Sequence, residues 1–170
     1  MNLTGYFKHF TWILFFLGTL TGCSGDNFPA LQVGVQAPAF TATSLDGKTR
    51  SISDYHDKGL IMIFMSSWCP CSNESIPIVN DAYQRHINDN VEFLMVGIQE
   101  ARSKFERFIA RRSILFPAIY DDDKLISRPY GINAPPTMVF INKNGIVKRV
   151  FFGNIKDKKE EFVQWVEELT

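Results

Sequence analysis

The sequence predicts an α/β domain, a three-layer sandwich whose central mixed sheet carries helices on both faces. Residues 60–65 are a continuous apolar run, and residues 91–98 are apolar except for Glu92, which is typical of strands that are covered on both sides. A stretch with helical periodicity follows each run, and strand–helix–strand units build a parallel sheet. The last two predicted strands, 137–141 and 146–152, are joined by a short turn and add antiparallel pairing.

An N-terminal β-hairpin is predicted ahead of the first buried strand. Residues 40–45 and 49–52 have the composition of short strands, and Asp46-Gly47-Lys48 lies between them. An Asp-Gly pair in this position is a hairpin signal. A loop over 54–59 then connects the hairpin to the buried strand at 60–65.

The first helix is predicted over residues 72–87, directly after a pair of cysteines. Ser72 is expected to cap its N-terminus, since a hydroxyl there accepts a hydrogen bond from a free backbone N–H group. Pro77 lies inside the predicted helix and is expected to kink it.

Two further helices complete the predicted sandwich. Ser103 and Glu106 have capping-box spacing, which predicts the start of the second helix. An amphipathic third helix is predicted over 157–169. A short strand is expected at 116–120, and Asp121-Asp122-Asp123 is expected to turn or cap the irregular segment that follows it.

The N-terminus has the pattern of an export signal. Residues 11–20 are mostly apolar, but this segment is too short to cross a membrane, which takes about 20 apolar residues. Leu20-Thr21-Gly22-Cys23 is similar to the bacterial lipobox, which implies cleavage before Cys23 and lipidation of that residue. An uncleaved anchor or an ordinary signal peptide is the alternative. The expected segments are a signal peptide over 1–22, a lipidated tether over 23–32 and a folded domain over 33–170.

The lipobox also implies a location. The domain is expected on the periplasmic side of a bacterial membrane, and Ser24 directly after the lipidated Cys23 is compatible with the outer membrane. Residues 1–22 hold one Lys and no acidic residue, so removing them leaves 17 of the 18 Lys and Arg against 18 Asp and Glu. This balance gives no indication of nucleic-acid binding.

Chemistry is indicated by two cysteines near the end of the first buried strand. Cys69 and Cys71 are separated only by Pro70, and bridging them closes too small a loop to stabilise an exported domain. A thiol at the predicted start of a helix meets free N–H groups and the positive end of the helix dipole, which favour the reactive thiolate. A second thiol close by can attack a mixed disulfide made by the first. The pair therefore predicts dithiol–disulfide exchange.

Two motifs together resemble the thioredoxin fold. Trp68-Cys69-Pro70-Cys71 lies at a strand–helix junction, and Ala134-Pro135-Pro136-Thr137 enters a later strand. With the N-terminal block from Gly34 to Lys48, the chain resembles the membrane-tethered TlpA/ResA-like thiol–disulfide oxidoreductases. The fold implied is a thioredoxin-like three-layer sandwich with an N-terminal hairpin extension.

The resemblance also implies roles. Cys69 attacks the substrate sulfur, Cys71 resolves the mixed disulfide, and Pro136 is a cis-proline beside the thiols. The implied substrate groove is formed by Trp68, Pro70, Pro135 and Thr137. The implied substrates are exported cysteine-containing proteins, apocytochrome c among them. Electrons pass to or from a membrane thiol–disulfide partner, and no bound cofactor or metal is required.

The motif departs from the family, which usually has Cys-x-x-Cys. In an ungapped alignment, Ser72 takes the resolving position and Cys71 a middle one. If one middle residue is deleted, Cys71 is the resolving thiol and Glu74 matches a family glutamate implicated in proton transfer. We favour Cys71, because thiols this close can form a small-ring disulfide. Such a disulfide is strained and more easily reduced, which favours an isomerase or an oxidant over a strong reductant.

Several assignments have alternatives. Trp68 is either a substrate platform or part of the core, and Glu74 is either a proton relay or an acid that complements the helix dipole. Cu(I) delivery by the two thiolates is a rival function, although no histidine follows His86. A thiol peroxidase is a second rival, because Ser66 stands three residues before Cys69. A non-catalytic peptide-binding module is a third.

Overall fold

The computed structural model describes residues 29–170, which form two β-sheets and three α-helices. The strands are β1 (Thr41–Thr43), β2 (Thr49–Ser51), β3 (Gly59–Met65), β4 (Val91–Gly97), β5 (Ala118–Tyr120), β6 (Thr137–Ile141) and β7 (Val147–Phe152). The helices are α1 (Pro70–Arg85), α2 (Arg102–Arg112) and α3 (Lys159–Glu167). The predicted signal peptide, Cys23 and the first part of the tether lie outside the described residues.

The central sheet is mixed, with the strand order β5-β4-β3-β6-β7. β3 pairs in parallel with β4, and β4 pairs in parallel with β5. β6 is antiparallel to both β3 and β7. This sheet and its coverings confirm the predicted thioredoxin-like three-layer sandwich.

All three α-helices pack on one face of this sheet. β3, β4 and β5 succeed one another in a single direction, and successive crossovers of the same hand therefore put α1 and α2 on the same side. The buried residues that the sheet contributes to this face include Ile61, Ile63, Met65, Phe93, Met95 and Phe140. The helices contribute Ile76, Val79, Phe105, Phe108, Phe162 and Val166.

The second face carries shorter elements than predicted. Its core packs Leu60, Met62 and Phe64 of β3 against residues from connecting segments. In the part of the chain that the structure describes, the helical elements here are 3₁₀ turns, Ile52–Tyr55 and Asp122–Lys124, rather than α-helices. The sequence pattern did not reveal this because the side taken by each helix depends on the strand order.

Tyr130 anchors the segment that leads to the prolines. Its side chain is fully buried, packs against the Phe64 ring with centroids 5.9 Å apart, and donates a hydrogen bond to the Pro38 carbonyl at 2.8 Å. Burial raises the pKa of the Tyr130 hydroxyl above its ordinary range. The segment after Tyr130 is thus fixed at its start.

The N-terminal hairpin is present as predicted. Gly47 has a φ of 81° in the turn, and its N–H donates to the Ser44 carbonyl at 2.9 Å. The Leu45 N–H donates to the Ala118 carbonyl at 2.8 Å, so the hairpin attaches to β5, an edge strand of the central sheet. An edge covered in this way is protected from pairing with another chain.

The first helix begins earlier than predicted. α1 starts at Pro70 with Cys69 as its N-cap, because proline at the first helical position has no N–H to leave unpaired. The predicted N-cap role of Ser72 is therefore wrong, since this residue lies inside the first turn and is fully buried. α1 continues through Pro77 as one helix to Arg85.

The predicted capping box of the second helix is also wrong. α2 begins at Arg102 with Ala101 as its N-cap, and Glu106 pairs with Arg102 at 2.9 Å. A 3₁₀ turn, Lys156–Lys158, precedes α3 and shortens it relative to the prediction. None of the helices within residues 29–170 is long and apolar enough to cross a membrane.

Candidate active site

The Cys69 thiol lies where β3 runs into α1. Cys69 is the N-cap of the helix, with an extended backbone (φ −84°, ψ 119°), and its side chain is buried. Its N–H donates to the Ser66 carbonyl, and its own carbonyl accepts the Asn73 N–H, both at 3.2 Å. Both Cys69 and Cys71 are free thiols in this structure. The junction thus fixes one thiol at the N-terminus of a helix.

The loop over residues 131–136, here called the proline loop, faces this thiol. The peptide bond between Pro135 and Pro136 is cis, and both residues are buried. The Cys69 Sγ donates a hydrogen bond to the Pro135 carbonyl at 3.6 Å. Pro135 has no N–H, so its carbonyl is the backbone group that it presents.

The proline loop is held from two sides. The Thr137 hydroxyl donates to the Ala134 carbonyl at 2.7 Å, and the Gly153 N–H donates to the Pro136 carbonyl at 2.9 Å. The Thr137 side chain is therefore engaged within the loop. β6, which begins at Thr137, pairs with β3 and so brings the loop beside Cys69.

Cys71 and Ser72 occupy different environments in the first turn of α1. Cys71 is half-buried, whereas Ser72 is fully buried and its Oγ accepts the Ser66 N–H at 3.5 Å. Residues three apart on a helix share a side, and residues two apart do not. Ser72 therefore stands at the spacing of the second residue in a Cys-x-x-Cys pair, as in the ungapped alignment.

Trp68 is exposed beside the thiol, with 58% of its surface accessible. The core-packing alternative for this residue is therefore wrong. Its indole Nε1 donates to the Gln99 carbonyl at 3.1 Å, and the Gln99 amide donates to the Asn133 carbonyl at 2.7 Å. Gln99 has a φ of 57°, a left-handed conformation that is uncommon outside glycine. Gln99 thus connects the Trp68 side chain to the segment before the prolines.

Glu100 holds the loop directly before Trp68. Its carboxylate accepts the Ser67 N–H at 2.7 Å and also accepts the Ser67 hydroxyl. The Tyr120 hydroxyl donates to the Glu100 carbonyl at 2.8 Å, which fixes the glutamate from β5. Sequence analysis missed Gln99 and Glu100, because they follow β4 and meet the thiol loop only through strand pairing.

Asn73 is a second contact that the sequence did not reveal. Its amide Nδ2 donates to the carbonyls of Ser67 and Cys69, and its Oδ1 accepts Arg112 Nη2 from the end of α2. The sequence pattern around Asn73 did not predict these partners, because a polar residue in the first turn of a helix is common.

Glu74 lies one turn into α1 and is exposed. Its carboxylate accepts the Asn154 amide at 2.5 Å, and the Asn154 Oδ1 accepts the Lys156 N–H at 2.9 Å. Glu74 is thus directed to the connection between β7 and α3. Pro70, by contrast, is exposed between the two thiols.

Two observations concern the residues that the rival functions would use. Within residues 29–170, no group of three or more His, Cys, Asp or Glu side chains has a metal-binding arrangement. The Ser66 hydroxyl, which the peroxidase alternative needs, donates to the Ile98 carbonyl at 2.5 Å. Ser66 therefore supports the end of β3 rather than the sulfur.

Comparison with known proteins agrees with this geometry. The sequence profile of the AhpC/TSA family matches residues 33–150. The thiol-disulfide oxidoreductase ResA of Geobacillus thermodenitrificans is 33% identical over 141 residues, which cover 82% of this chain and 79% of that protein.

Solved structures share the fold. A thiol:disulfide interchange protein of the thioredoxin family from Chlorobium tepidum superposes with a TM-score of 0.72 at 24% identity, covering 82% of this chain and 99% of its own. StoA from Bacillus subtilis superposes with a TM-score of 0.66 at 23% identity, covering 76% and 96%. With a thiol at the N-terminus of α1 and a cis-proline facing it, the chain belongs to the AhpC/TSA family and is a thioredoxin-like thiol–disulfide oxidoreductase.

Proposed function

We propose that the protein is an extracytoplasmic, membrane-tethered oxidoreductase that reduces or isomerises disulfides of exported cysteine-containing proteins. Cys69 is the proposed nucleophile and Cys71 the proposed resolving thiol. The observation that carries this proposal is the Cys69 thiol at the N-cap of α1, with its Sγ 3.6 Å from the Pro135 carbonyl. A sulfur in that position lies at the N-terminus of a helix and contacts the backbone of the proline loop.

In the first proposed step, the Cys69 thiolate attacks one sulfur of a substrate disulfide. A bond forms between Cys69 Sγ and that sulfur, the substrate S–S bond breaks, and the other substrate sulfur leaves as a thiolate that takes up a proton. The thiolate is the nucleophilic form of a thiol, and this step uses that form of Cys69.

In the second step, the Cys71 thiolate attacks Cys69 Sγ. The mixed disulfide breaks, the second substrate sulfur leaves as a thiolate that takes up a proton, and a Cys69–Cys71 disulfide forms. Two electrons have then passed from the protein to the substrate. A membrane thiol–disulfide partner is proposed to return them, or to accept them if the protein runs as an oxidant.

The proposed substrate groove lies between Trp68 and the proline loop. Trp68 offers an exposed aromatic surface on one side, and the Pro135 carbonyl offers a hydrogen-bond acceptor on the other. Beyond the loop an apolar groove is lined by Ala134, Val150 and Phe152, of which Phe152 is 65% exposed. An unfolded chain with apolar residues near its cysteine fits this surface.

The position of the N-terminal segment supports tethering at this end of the domain. A Cβ built on Gly131 would lie 2.2 Å from the Pro29 carbonyl oxygen, so the segment at Pro29 packs directly against the start of the proline loop. Five residues lie between Cys23 and Pro29, and the six Cα–Cα steps span about 20 Å when fully extended. A lipid on Cys23 would therefore hold the thiol end of the domain near the membrane.

The test of the catalytic roles is mixed-disulfide capture with the full chain. Cys71→Ala is expected to accumulate a covalent adduct at Cys69 with a disulfide-bonded peptide, because the resolving thiol is missing. Cys69→Ala is the matched control and is expected to form none. Full turnover by Cys71→Ala, or an adduct at Cys71 in the Cys69→Ala variant, would contradict the proposed roles.

Membrane tethering needs its own test. Cys23→Ala is expected to move the protein from the membrane fraction to the soluble fraction of the producing cell and to remove a lipid-sized mass increment. An unchanged mass and distribution would contradict the proposed lipid anchor without affecting the thiol chemistry.

A further inference from the structure

We propose that Asn73 is a positioning residue that holds Cys69 in its dithiol conformation and so makes the Cys69–Cys71 disulfide easier to reduce. This inference rests on the proposed redox couple and goes beyond it, because it names the residue that sets the balance between dithiol and disulfide.

The side-chain amide of Asn73 donates hydrogen bonds to backbone carbonyls on both sides of Trp68. The Asn73 Nδ2 donates to the Ser67 carbonyl at 3.0 Å and to the Cys69 carbonyl at 2.9 Å. The Asn73 backbone N–H donates to the same Cys69 carbonyl at 3.2 Å. Two hydrogen bonds from one residue therefore fix the peptide plane that leaves Cys69.

Arg112 fixes the orientation of that amide. Its Nη2, at the end of α2, donates to Asn73 Oδ1. A guanidinium is a donor only, so the amide oxygen must face Arg112 and the NH₂ group must face the two carbonyls. The positive charge also polarises the amide and strengthens its donation to the thiol loop.

These bonds belong to the dithiol state. A disulfide needs its two Cβ atoms about 3.5–4.5 Å apart, whereas Cys69 is the extended N-cap of α1 and Cys71 lies inside the first turn. Bringing Cys71 Sγ to Cys69 Sγ is therefore expected to rearrange this junction and to turn the Cys69 carbonyl away from Asn73. Bonds that exist only in the dithiol state shift the equilibrium toward that state.

The test is the equilibrium between dithiol and disulfide in glutathione buffers. The balanced exchange is one protein disulfide plus two glutathione thiols giving the protein dithiol plus oxidised glutathione. Asn73→Ala removes the side-chain donor and is expected to shift this equilibrium about tenfold toward the disulfide, the effect of losing one or two net hydrogen bonds.

Asn80 provides the matched control. It lies on the same helix, and its Nδ2 donates to the Ser113 carbonyl next to the end of α2 at 3.1 Å, away from the thiol loop. Asn80→Ala is expected to leave the glutathione equilibrium within twofold of the wild-type value.

Arg112→Ala tests the same hydrogen-bond network at its exposed residue and leaves the α1 sequence unchanged. It is expected to shift the equilibrium in the same direction as Asn73→Ala, by a smaller factor. This variant also keeps the inference testable if Asn73→Ala does not fold.

Two failures are distinguishable. A wild-type protein that forms no intramolecular disulfide in any buffer would contradict the proposed function and this inference together. A wild-type protein that forms one, with an equilibrium that neither Asn73→Ala nor Arg112→Ala moves beyond the Asn80→Ala control, would overturn only the role of Asn73.

Discussion

The loop that ends at Cys69 and the first turn of α1 are adjacent in sequence, but they are held in different ways. Three successive residues of the loop bond to the segment after β4, where Ser66, Ser67 and Trp68 contact residues 98–100. Cys69 itself bonds to the proline loop. The half-buried Cys71 instead contributes its carbonyl, which accepts the Ser75 hydroxyl at 2.8 Å.

The difference teaches how a compressed Cys-x-Cys pair can work. Cys69 and the loop before it are held by residues 98–100, by the proline loop and by Asn73, so the approach of this thiol to a substrate is preorganised. The position of the second thiol is set by the helix that carries it. The proposed mechanism thus combines a fixed nucleophile, Cys69, with a resolving thiol, Cys71, that is expected to move.

The strongest test of this contrast is to remove each thiol in turn. Cys69→Ser is expected to reduce disulfide exchange to the uncatalysed level, because the preorganised sulfur is lost. Cys71→Ser is expected to leave the rate of the first exchange within about threefold and to block release of the adduct. Single-turnover measurements with a fluorogenic disulfide separate the two steps, and equal losses in both variants would break the comparison.

A second test moves the second thiol from position 71 to position 72, three residues after Cys69. The double variant Cys71→Ser, Ser72→Cys restores Cys-x-x-Cys spacing at a buried position one turn from Cys69. Its disulfide is expected to form without rearranging the first turn, and its glutathione equilibrium is expected to shift about tenfold or more toward the disulfide. The same equilibrium as in the wild-type protein would show that the spacing does not limit bridge formation.

A third test loosens the groove while leaving both thiols in place. Gln99→Ala removes the amide that reaches the Asn133 carbonyl but keeps the carbonyl that accepts the Trp68 indole. We expect KM for a disulfide peptide to rise about three- to fivefold with kcat nearly unchanged, because substrate positioning is lost rather than chemistry. Gln84→Ala, at an exposed position of α1, is the control, and a fall in kcat alone would contradict this role for Gln99.

The smallest expected effect lies in the N-terminal hairpin. The Ser44 hydroxyl and the Lys48 N–H lower the pKa of Asp46 to about 2. Because the folded pKa is depressed, Asp46 stabilises the fold above its unfolded pKa, and this contribution is lost as the pH falls from about 4 toward 2. Asp46→Asn should therefore slightly reduce the decrease in the urea midpoint of unfolding that the wild-type protein shows at acid pH. The same substitution should leave the glutathione equilibrium of the thiols unchanged.

Much of the fold was predictable from the sequence because its strands are continuous apolar runs. β3 and β4, the hairpin turn at Gly47 and the antiparallel pair of β6 and β7 all agree with their predicted ranges to within a few residues. The side on which each helix packs was not predictable, since it depends on the strand order across the sheet. The start of α1 was placed two residues too late because Ser72 is a preferred N-cap residue type, whereas the observed cap is the residue before Pro70.

The site, like the fold, has parts that the sequence predicted and parts that it did not. Cys69 and the proline loop could be predicted because they form compact motifs, and the structure brings them within 3.6 Å. The contacts from Gln99, Glu100 and Arg112 could not, because each joins residues more than 30 positions apart through the sheet and helix packing. Local pattern therefore identified the chemistry, and tertiary structure supplied the groups that position it.

The most direct test of the central claim is the reduction potential of the Cys69–Cys71 couple, measured by mass-tagging free thiols in glutathione buffers of graded potential. We predict a reversible intramolecular disulfide that is more easily reduced than that of thioredoxin, with a potential above about −270 mV and toward about −180 mV. Failure to form this disulfide at any potential would contradict the two-thiol account and leave single-thiol chemistry at Cys69 as the simplest explanation.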